Sequence, residues 1–312
     1  MLRTSGAYPE RLAAAADRRA LDWCTAAGLV PDERTAERFR RTRSGALAAY
    51  ANPRAAAVTV DSLATWHAFA CLLDDHLDTR ADADHGQLLS GLAAVTAGDR
   101  RPVADPDSAP RHVLAFDDLW SRTTRSMSDP VHERFSRHWG EYWRTLGSES
   151  LQRRDRARLS VEEYIRVRRI TTASREAVDI TDHFEQRSLP DELFGHPWHR
   201  ELLECAEDIV GWANDLVSWR QEADGGEVHN LVLVIARTTG RPHERAAEEV
   251  RGLIEERVRH FERLADRPPH PGLTQRAVSL RNWVRGYRRW AGESGRYRRA
   301  ADCGRPTAAA SE

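Results

Sequence analysis

Residues 58–78 read VTVDSLATWHAFACLLDDHLD, an apolar run of helical length that ends in three aspartates. The run is apolar on every side until its acidic end, a pattern typical of a helix buried in a core. Asp74 and Asp78 are one helical turn apart and therefore face the same way. Asp75 lies about 100 degrees around the same helix. The stretch predicts a deeply packed helix that carries carboxylates at one end.

Two interpretations of these carboxylates stay open from this stretch alone. Buried charges without compensation cost several kcal/mol each, and a hard divalent cation such as Mg²⁺ would compensate them. The alternative is a solvated helix end with an ordinary acidic turn. Adjacent aspartates are common, and FDDLW at 116–120 contains another pair.

A second polar stripe lies in NDLVSWRQE at 214–222, where Asn214, Ser218 and Glu222 are spaced four residues apart. In a helix the three side chains share one face over about 12 Å of rise. All three offer oxygen, the ligand type that magnesium prefers, and magnesium usually fills its remaining positions with water and phosphate oxygens. An amphipathic helix with a polar face is the alternative for the triplet alone. Together with the upstream aspartates, the stripe favours a metal site for an anionic substrate.

The remainder of the chain is also helical in pattern. In FSRHWGEYWRTLG at 135–147, Phe135, Trp139 and Trp143 fall on one stripe. Few stretches alternate with period two, and proline-containing breaks separate the helical segments. We therefore predict an all-α fold: one helical domain over residues 1–303, followed by a disordered tail at 304–312.

Composition narrows the class of protein. The 312 residues carry a net charge of −1 without a long basic patch, so no nucleic-acid partner is expected. No apolar run approaches the roughly 20 residues of a membrane span, and the N-terminus lacks a signal-peptide core. The four cysteines form no CxxC pair, as expected for reduced thiols. These features predict a cytoplasmic protein without stable membrane insertion.

DDHLD at 74–78, NDLVSWRQE at 214–222 and Arg296-Tyr297 together resemble the class I terpene synthases, especially the bacterial cyclases. The resemblance covers nearly the whole chain. It implies a helical bundle around a central apolar cavity, with two metal motifs facing each other across it. It also implies three Mg²⁺ ions, an isoprenyl diphosphate substrate and, as one assembly to consider, a homodimer.

The resemblance assigns roles to individual residues. Asp74, Asp75 and Asp78 match the family's acidic metal motif, and Asn214, Ser218 and Glu222 match the second metal set. Arg296 and Tyr297 match the pair that hydrogen-bonds the diphosphate, and Arg168 lies at the family's spacing for a diphosphate-sensing arginine, 46 residues before Asn214. Thr171 and Thr172 fall where the family places its linker and effector at a break in a helix.

This sequence departs from the family pattern at two places. The usual effector is glycine, whereas Thr172 stands here. Gln221 precedes the motif's glutamate where the family often has a basic residue. Glutamine donates hydrogen bonds but brings no charge, and Arg220 is the candidate replacement.

Substrate contacts are predicted in the apolar cavity. Phe69, about 1.4 turns before Asp74, is expected on the inner wall. Trp290, six residues before Arg296, matches a cavity tryptophan of the family. Trp66 is a further candidate, as is Trp212, with core packing as the alternative for each tryptophan.

The function implied is a magnesium-dependent cyclase of farnesyl diphosphate that releases diphosphate and forms a terpene hydrocarbon or alcohol. Geranylgeranyl and geranyl diphosphate are the alternative substrates. A chain-elongating prenyl transferase would carry a second DDxxD motif, but residue 121 is serine, and the chain contains no lysine for a second diphosphate. A non-catalytic binding protein would show broken metal motifs, and both are intact.

Overall fold

The computed structural model describes residues 7–79, 85–155, 157–187 and 189–297. These residues form fourteen α-helices and two short 3₁₀ turns, at Arg101–Val103 and Pro271–Leu273, and no strands. The all-α prediction is confirmed, and the predicted tail at 304–312 lies outside the described residues. The helices, in chain order, are α1 Ala7–Ala26, α2 Glu33–Thr42, α3 Ser44–Ala51, α4 Ala57–Thr79, α5 Gly86–Thr96, α6 Arg111–Thr124, α7 Asp129–Arg154, α8 Val161–Thr171, α9 Ser174–Phe184, α10 Asp191–Phe194, α11 Pro197–Asp224, α12 Leu231–Thr239, α13 His243–Ala265 and α14 Thr274–Glu293.

Helix α4 packs on several sides, as its uniformly apolar sequence predicts. It contacts α1, α3, α6 and α9, and Leu63, Ala64 and Phe69 are among its fully buried residues. Helix α11 also packs on several sides, against α8, α12, α13 and α14. Helix α9 contacts both α4 and α11, so the two helices that carry the metal motifs flank it.

An aromatic cluster fills one side of the core. The predicted stripe of Phe135, Trp139 and Trp143 is buried, and Trp139 and Trp143 pack against Phe116 of α6 at ring separations of 5.5 and 5.2 Å. Such edge-to-face contacts add to the free energy of burying the rings.

Two glycines allow close helix approach near the cavity. A Cβ on Gly286 would overlap the backbone of Ala51, so glycine is what lets α14 lie directly against α3. A Cβ on Gly211 of α11 would lie 2.9 Å from the Thr172 side chain, so the end of α8 also approaches α11 closely. No helix in the described ranges is both long and apolar enough to cross a membrane.

Candidate active site

Two adjoining cavities occupy the space between α4, α11 and α14. The outer cavity, of about 470 Å³, is lined by both predicted metal motifs. The inner cavity, of about 160 Å³, is lined mainly by aromatic and small apolar residues. Five residues line both cavities: Asp74, Arg168, Asn214, Arg296 and Tyr297. The polar outer cavity, the mouth of the site, therefore lies directly beside an apolar chamber.

The outer cavity brings together residues that the chain keeps far apart. All six predicted metal ligands line it: Asp74, Asp75, Asp78, Asn214, Ser218 and Glu222. They come from the C-terminal turns of α4 and of α11. Because of the helical spacing within each motif, the polar faces of α4 and α11 both line the outer cavity.

Arginines neutralise the acidic end of α4. Arg296 lies 2.7 Å from Asp74 and 3.0 Å from Asp75. Arg38 of α2 lies 2.7 Å from Asp75. Asp74 is nevertheless 59% exposed at its side chain, so it still faces the open mouth.

Carboxylates from the two motifs repel each other across the mouth. Partial removal from water and the charges of Asp74 and Glu222 raise the pKa of Asp78, although Arg153 opposes them and half of the Asp78 side chain is exposed. Burial, followed by the charge of Asp215, raises the pKa of Glu222 to about 7. Such shifts are what removal of carboxylates from water produces when like charges lie nearby.

The second motif is ordered by a hydrogen bond within α11 and by a side chain at the start of α12. Ser218 donates a hydrogen bond of 3.0 Å to the carbonyl of Asn214. Asn230, the N-cap of α12, donates one of 2.9 Å to Glu222. Among the described residues no three His, Cys, Asp or Glu side chains group as a metal site. The set fits magnesium through its mixture of carboxylate, amide and hydroxyl oxygens.

A buried network places Arg168 beside the second motif. Its guanidinium donates to Asn214 Oδ1 at 2.7 Å and to Asp215 Oδ1 at 3.0 Å. Asp215, only 2% exposed, also accepts hydrogen bonds from the Tyr164 hydroxyl and the backbone N–H of Leu231. Arg168 is thus oriented by a fully buried carboxylate and presents its remaining surface to both cavities.

Asn214 also joins α11 to the C-terminal segment. Its amide nitrogen donates to the hydroxyl of Tyr297 at 2.6 Å and to that of Tyr287 at 3.0 Å. Asn214 thus connects Arg168 with Tyr297, whereas Arg296 lies against Asp74 and Asp75.

The end of α8 forms the predicted break in a helix. Helix α8 ends at Thr171 and α9 begins at Ser174. Between them, Ala173 has φ 52° and ψ 22°, a left-handed conformation that is unusual for a residue with a Cβ. Thr171, Thr172 and Ala173 all line the inner cavity.

The terpene synthase family 2, C-terminal metal-binding model matches residues 65–260, well over half of the chain. The chain belongs to this family. It is therefore a terpene synthase, in a family that binds a divalent metal.

Relatives and solved structures agree with this placement. Pristinol synthase of Streptomyces pristinaespiralis is 30% identical over 83% of this chain and 71% of that protein. A Streptomyces viridochromogenes relative named 7-epi-alpha-eudesmol synthase ((2E,6E)-farnesyl diphosphate cyclizing) is 25% identical over 91% of this chain and 87% of that protein. The crystal structure of linalool/nerolidol synthase from Streptomyces clavuligerus has the same fold, with a TM-score of 0.80 at 24% identity over 89% of this chain and 96% of that chain.

Two of the four residues predicted to line the inner cavity of this terpene synthase do not line it. Trp66 and Trp290 lie on its wall, but Phe69 does not. Phe69 is buried in the aromatic core instead, 5.7 Å from Phe116. Trp212 is likewise buried outside both cavities.

The replacement suggested for the missing basic residue is also wrong. Arg220 is exposed and stacks on the Trp219 ring, 4.3 Å from its centroid, and it does not line the outer cavity. Gln221 does line it. Arg153 and Arg38 supply positive charge at the mouth from other helices, and neither was predicted from the sequence.

Proposed function

We propose that this terpene synthase is a Mg²⁺-dependent cyclase of farnesyl diphosphate, which releases diphosphate and cyclises the resulting carbocation. The observation that carries the proposal is that the carboxylate- and arginine-lined outer cavity and the aromatic inner cavity share five wall residues. A diphosphate head and an isoprenyl tail are the two halves of a molecule that fits this division. The relative whose name specifies farnesyl diphosphate supports that chain length.

Arg168, Arg296 and Tyr297 are proposed to bind the diphosphate. Arginine suits this role because its planar fork holds two phosphate oxygens at once and keeps its charge. The tyrosine hydroxyl adds a donor beside them. Negative charge develops on the leaving diphosphate, so donors placed there in advance lower the barrier to ionisation.

The proposed metal ligands are Asp74, Asp75 and Asp78 on one side and Asn214, Ser218 and Glu222 on the other, with three ions expected. Bound magnesium would supply positive charge to the diphosphate oxygens as the carbon–oxygen bond breaks. Arg38, Arg153 and Arg296 partly neutralise these carboxylates, which favours binding of the cation together with an anionic substrate.

The inner cavity is proposed to fold the tail and exclude water. Trp66 and Trp290 are held in place by their ring nitrogens, which donate to Thr123 at 3.0 Å and to the Thr42 carbonyl at 2.7 Å. Aromatic faces stabilise nearby positive charge. At the break between α8 and α9, Thr171 and Thr172 are proposed to contact the reacting end of the substrate, with the Thr172 carbonyl as effector.

Product analysis tests the proposal directly. Purified protein is offered farnesyl, geranyl and geranylgeranyl diphosphate in turn, with Mg²⁺ or with EDTA, and products are identified by gas chromatography. We expect cyclic products from farnesyl diphosphate, no turnover in EDTA, and recovery when Mg²⁺ is restored. Full turnover in EDTA contradicts the metal dependence, and longer prenyl chains formed with added isopentenyl diphosphate favour a prenyl transferase.

A further inference from the structure

Two polar side chains on the wall of the inner cavity lack partners. His67 of α4 and Glu176 of α9 both line this cavity, and they are 9% and 2% exposed. No hydrogen bond at either ring nitrogen of His67 has good geometry, although the Ser44 backbone is a weak partner that raises the pKa of the ring. Oε2 of Glu176 is also unpartnered. Unpaired buried polar atoms are rare enough to require an explanation.

Both groups are uncharged near neutral pH. Burial lowers the pKa of His67 to about 4 and raises the pKa of Glu176 to about 8. The charged neighbours of Glu176 are Arg175 and Asp179 on its own helix and Glu207 on α11. The cavity thus presents an imidazole with a free lone pair and a carboxylic acid that both donates and accepts.

This arrangement suits a bound water molecule. Apolar cavities stay dry, whereas a buried water typically makes about three hydrogen bonds to polar groups that are otherwise unsatisfied. His67 and Glu176 are on helices that pack against each other, and the hydroxyl of Thr171 is a third unpartnered polar group on the same wall. The ring nitrogens of Trp139 and Trp283, also unpartnered there, are donors only.

We propose that His67 and Glu176 hold one water molecule in the inner cavity, that this water adds to the final carbocation, and that the product is a cyclic terpene alcohol. This rests on the proposed cyclase function. In the addition step the water oxygen forms the new carbon–oxygen bond with its lone pair. One oxygen–hydrogen bond breaks, and the proton passes to the free nitrogen lone pair of His67. Glu176 orients the water by hydrogen bonding and takes no net proton.

Turnover in H₂¹⁸O tests the inference. The full-length protein is incubated with Mg²⁺ and farnesyl diphosphate, and cyclic alcohol is measured per diphosphate released, after subtraction of a no-enzyme control. We expect one ¹⁸O in the main cyclic product of the unmodified protein. His67→Phe keeps the ring shape without the nitrogens and should lower the alcohol-to-hydrocarbon ratio about tenfold. Because the alcohol is expressed per diphosphate released, a general loss of activity does not lower the measured value.

Substitutions at Glu176 separate water binding from packing, and they serve if His67→Phe does not fold. Glu176→Gln retains hydrogen bonding and should keep ¹⁸O incorporation, whereas Glu176→Leu should lose it. The matched control is His199→Phe, because His199 is also a buried imidazole with a pKa lowered to about 4 but lies outside both cavities. Its product ratio should match the unmodified protein.

The measurements distinguish a failure of the proposed cyclase function from a failure of the water site. If no allylic diphosphate yields diphosphate release, the proposed function itself is wrong. If diphosphate is released and the product is a hydrocarbon only, the cyclase proposal stands and the water site is overturned. An alcohol whose share is unchanged in both His67→Phe and Glu176→Leu also overturns it.

Discussion

The guanidinium of Arg296 lies 2.7 Å from the carboxylate of Asp74, joining the C-terminal segment to the acidic end of α4. The arginine side chain is only 6% exposed, whereas that of Asp74 is 59% exposed. Arg296, which is proposed to bind diphosphate, thus neutralises the carboxylate of Asp74, a proposed metal ligand. A metal ion at Asp74 and the ion pair with Arg296 compete for the same oxygens, while diphosphate offers Arg296 another anion.

Replacing Arg296 should therefore affect two binding events in opposite directions. In Arg296→Gln, Mg²⁺ alone should stabilise the protein more than it stabilises the unmodified protein, because a competing cation is gone. Mg²⁺ with inorganic diphosphate should stabilise it less, through loss of a charge-assisted contact of about 1.5–3 kcal/mol. Thermal melting with each addition measures both effects through binding to the native state.

The control for this comparison is Arg285→Gln, since Arg285 is largely exposed and pairs with Glu262, and neither residue lines either cavity. Both increments should remain as in the unmodified protein. An Arg296→Gln variant with unchanged increments removes Arg296 from the diphosphate site.

Asn214 is expected to tolerate change far less than its partner Tyr287. Asn214→Ala removes a proposed metal ligand and the amide that meets both tyrosines, and should lower kcat/KM by at least about 100-fold. Tyr287→Phe removes one 3.0 Å hydrogen bond and keeps the ring, so a loss of about threefold to tenfold is expected.

Steady-state kinetics by diphosphate release measures both variants. Tyr50→Phe is the control, because its hydroxyl bonds Glu10 and Glu293 instead of the site. If Asn214→Ala retains full turnover, the stripe on α11 is only a polar face.

The sequence predicted which polar side chains share a face in each proposed metal motif, because that arrangement is local to one helix. Asn214, Ser218 and Glu222 lie on one helical face whatever the rest of the fold does, and the structure places them on one cavity with the aspartates of α4. The predicted helix break at Thr171 and Thr172 directly precedes Ala173, whose left-handed conformation was not predicted from the sequence.

The sequence did not predict which side of α4 faces the cavity or which residues distant in the chain contact each other. Helix α4 is apolar on all sides, so its sequence carries no signal for which residues face the cavity, and Phe69 faces the aromatic core while His67 lines the chamber. Asp215 looks like an ordinary neighbour of Asn214 until the fold brings Tyr164 and Arg168 onto it.

Removing Asp215 should cost stability as well as activity. Asp215→Ala leaves the guanidinium of Arg168 buried without its carboxylate and deprives Tyr164 of its acceptor. Breaking a buried pair in this way costs about 3–5 kcal/mol. Urea unfolding measures the loss. For comparison, Glu249→Ala breaks an exposed pair with Arg241 and should cost less than about 1 kcal/mol; equal losses in the two variants contradict the proposed network.

The last prediction concerns the pH dependence of stability at Glu176. Burial raises the pKa of this carboxyl from its ordinary value of 4.5 to about 8. Between these values the unfolded chain has released the proton while the folded protein still holds it, so rising pH favours unfolding. The stabilisation from this group is fully present below pH 4.5 and is lost as pH rises towards 8.

Glu176→Gln does not titrate, so its melting temperature should rise relative to that of the unmodified protein across this window. The buried histidines His67, His112 and His199, whose pKa values are lowered to about 4, destabilise the fold in acid, but they are present in both proteins and cancel in the difference. Melting curves at matched pH values measure that difference, and one that stays constant from pH 4.5 to 8 shows that Glu176 does not hold its proton in the folded cavity.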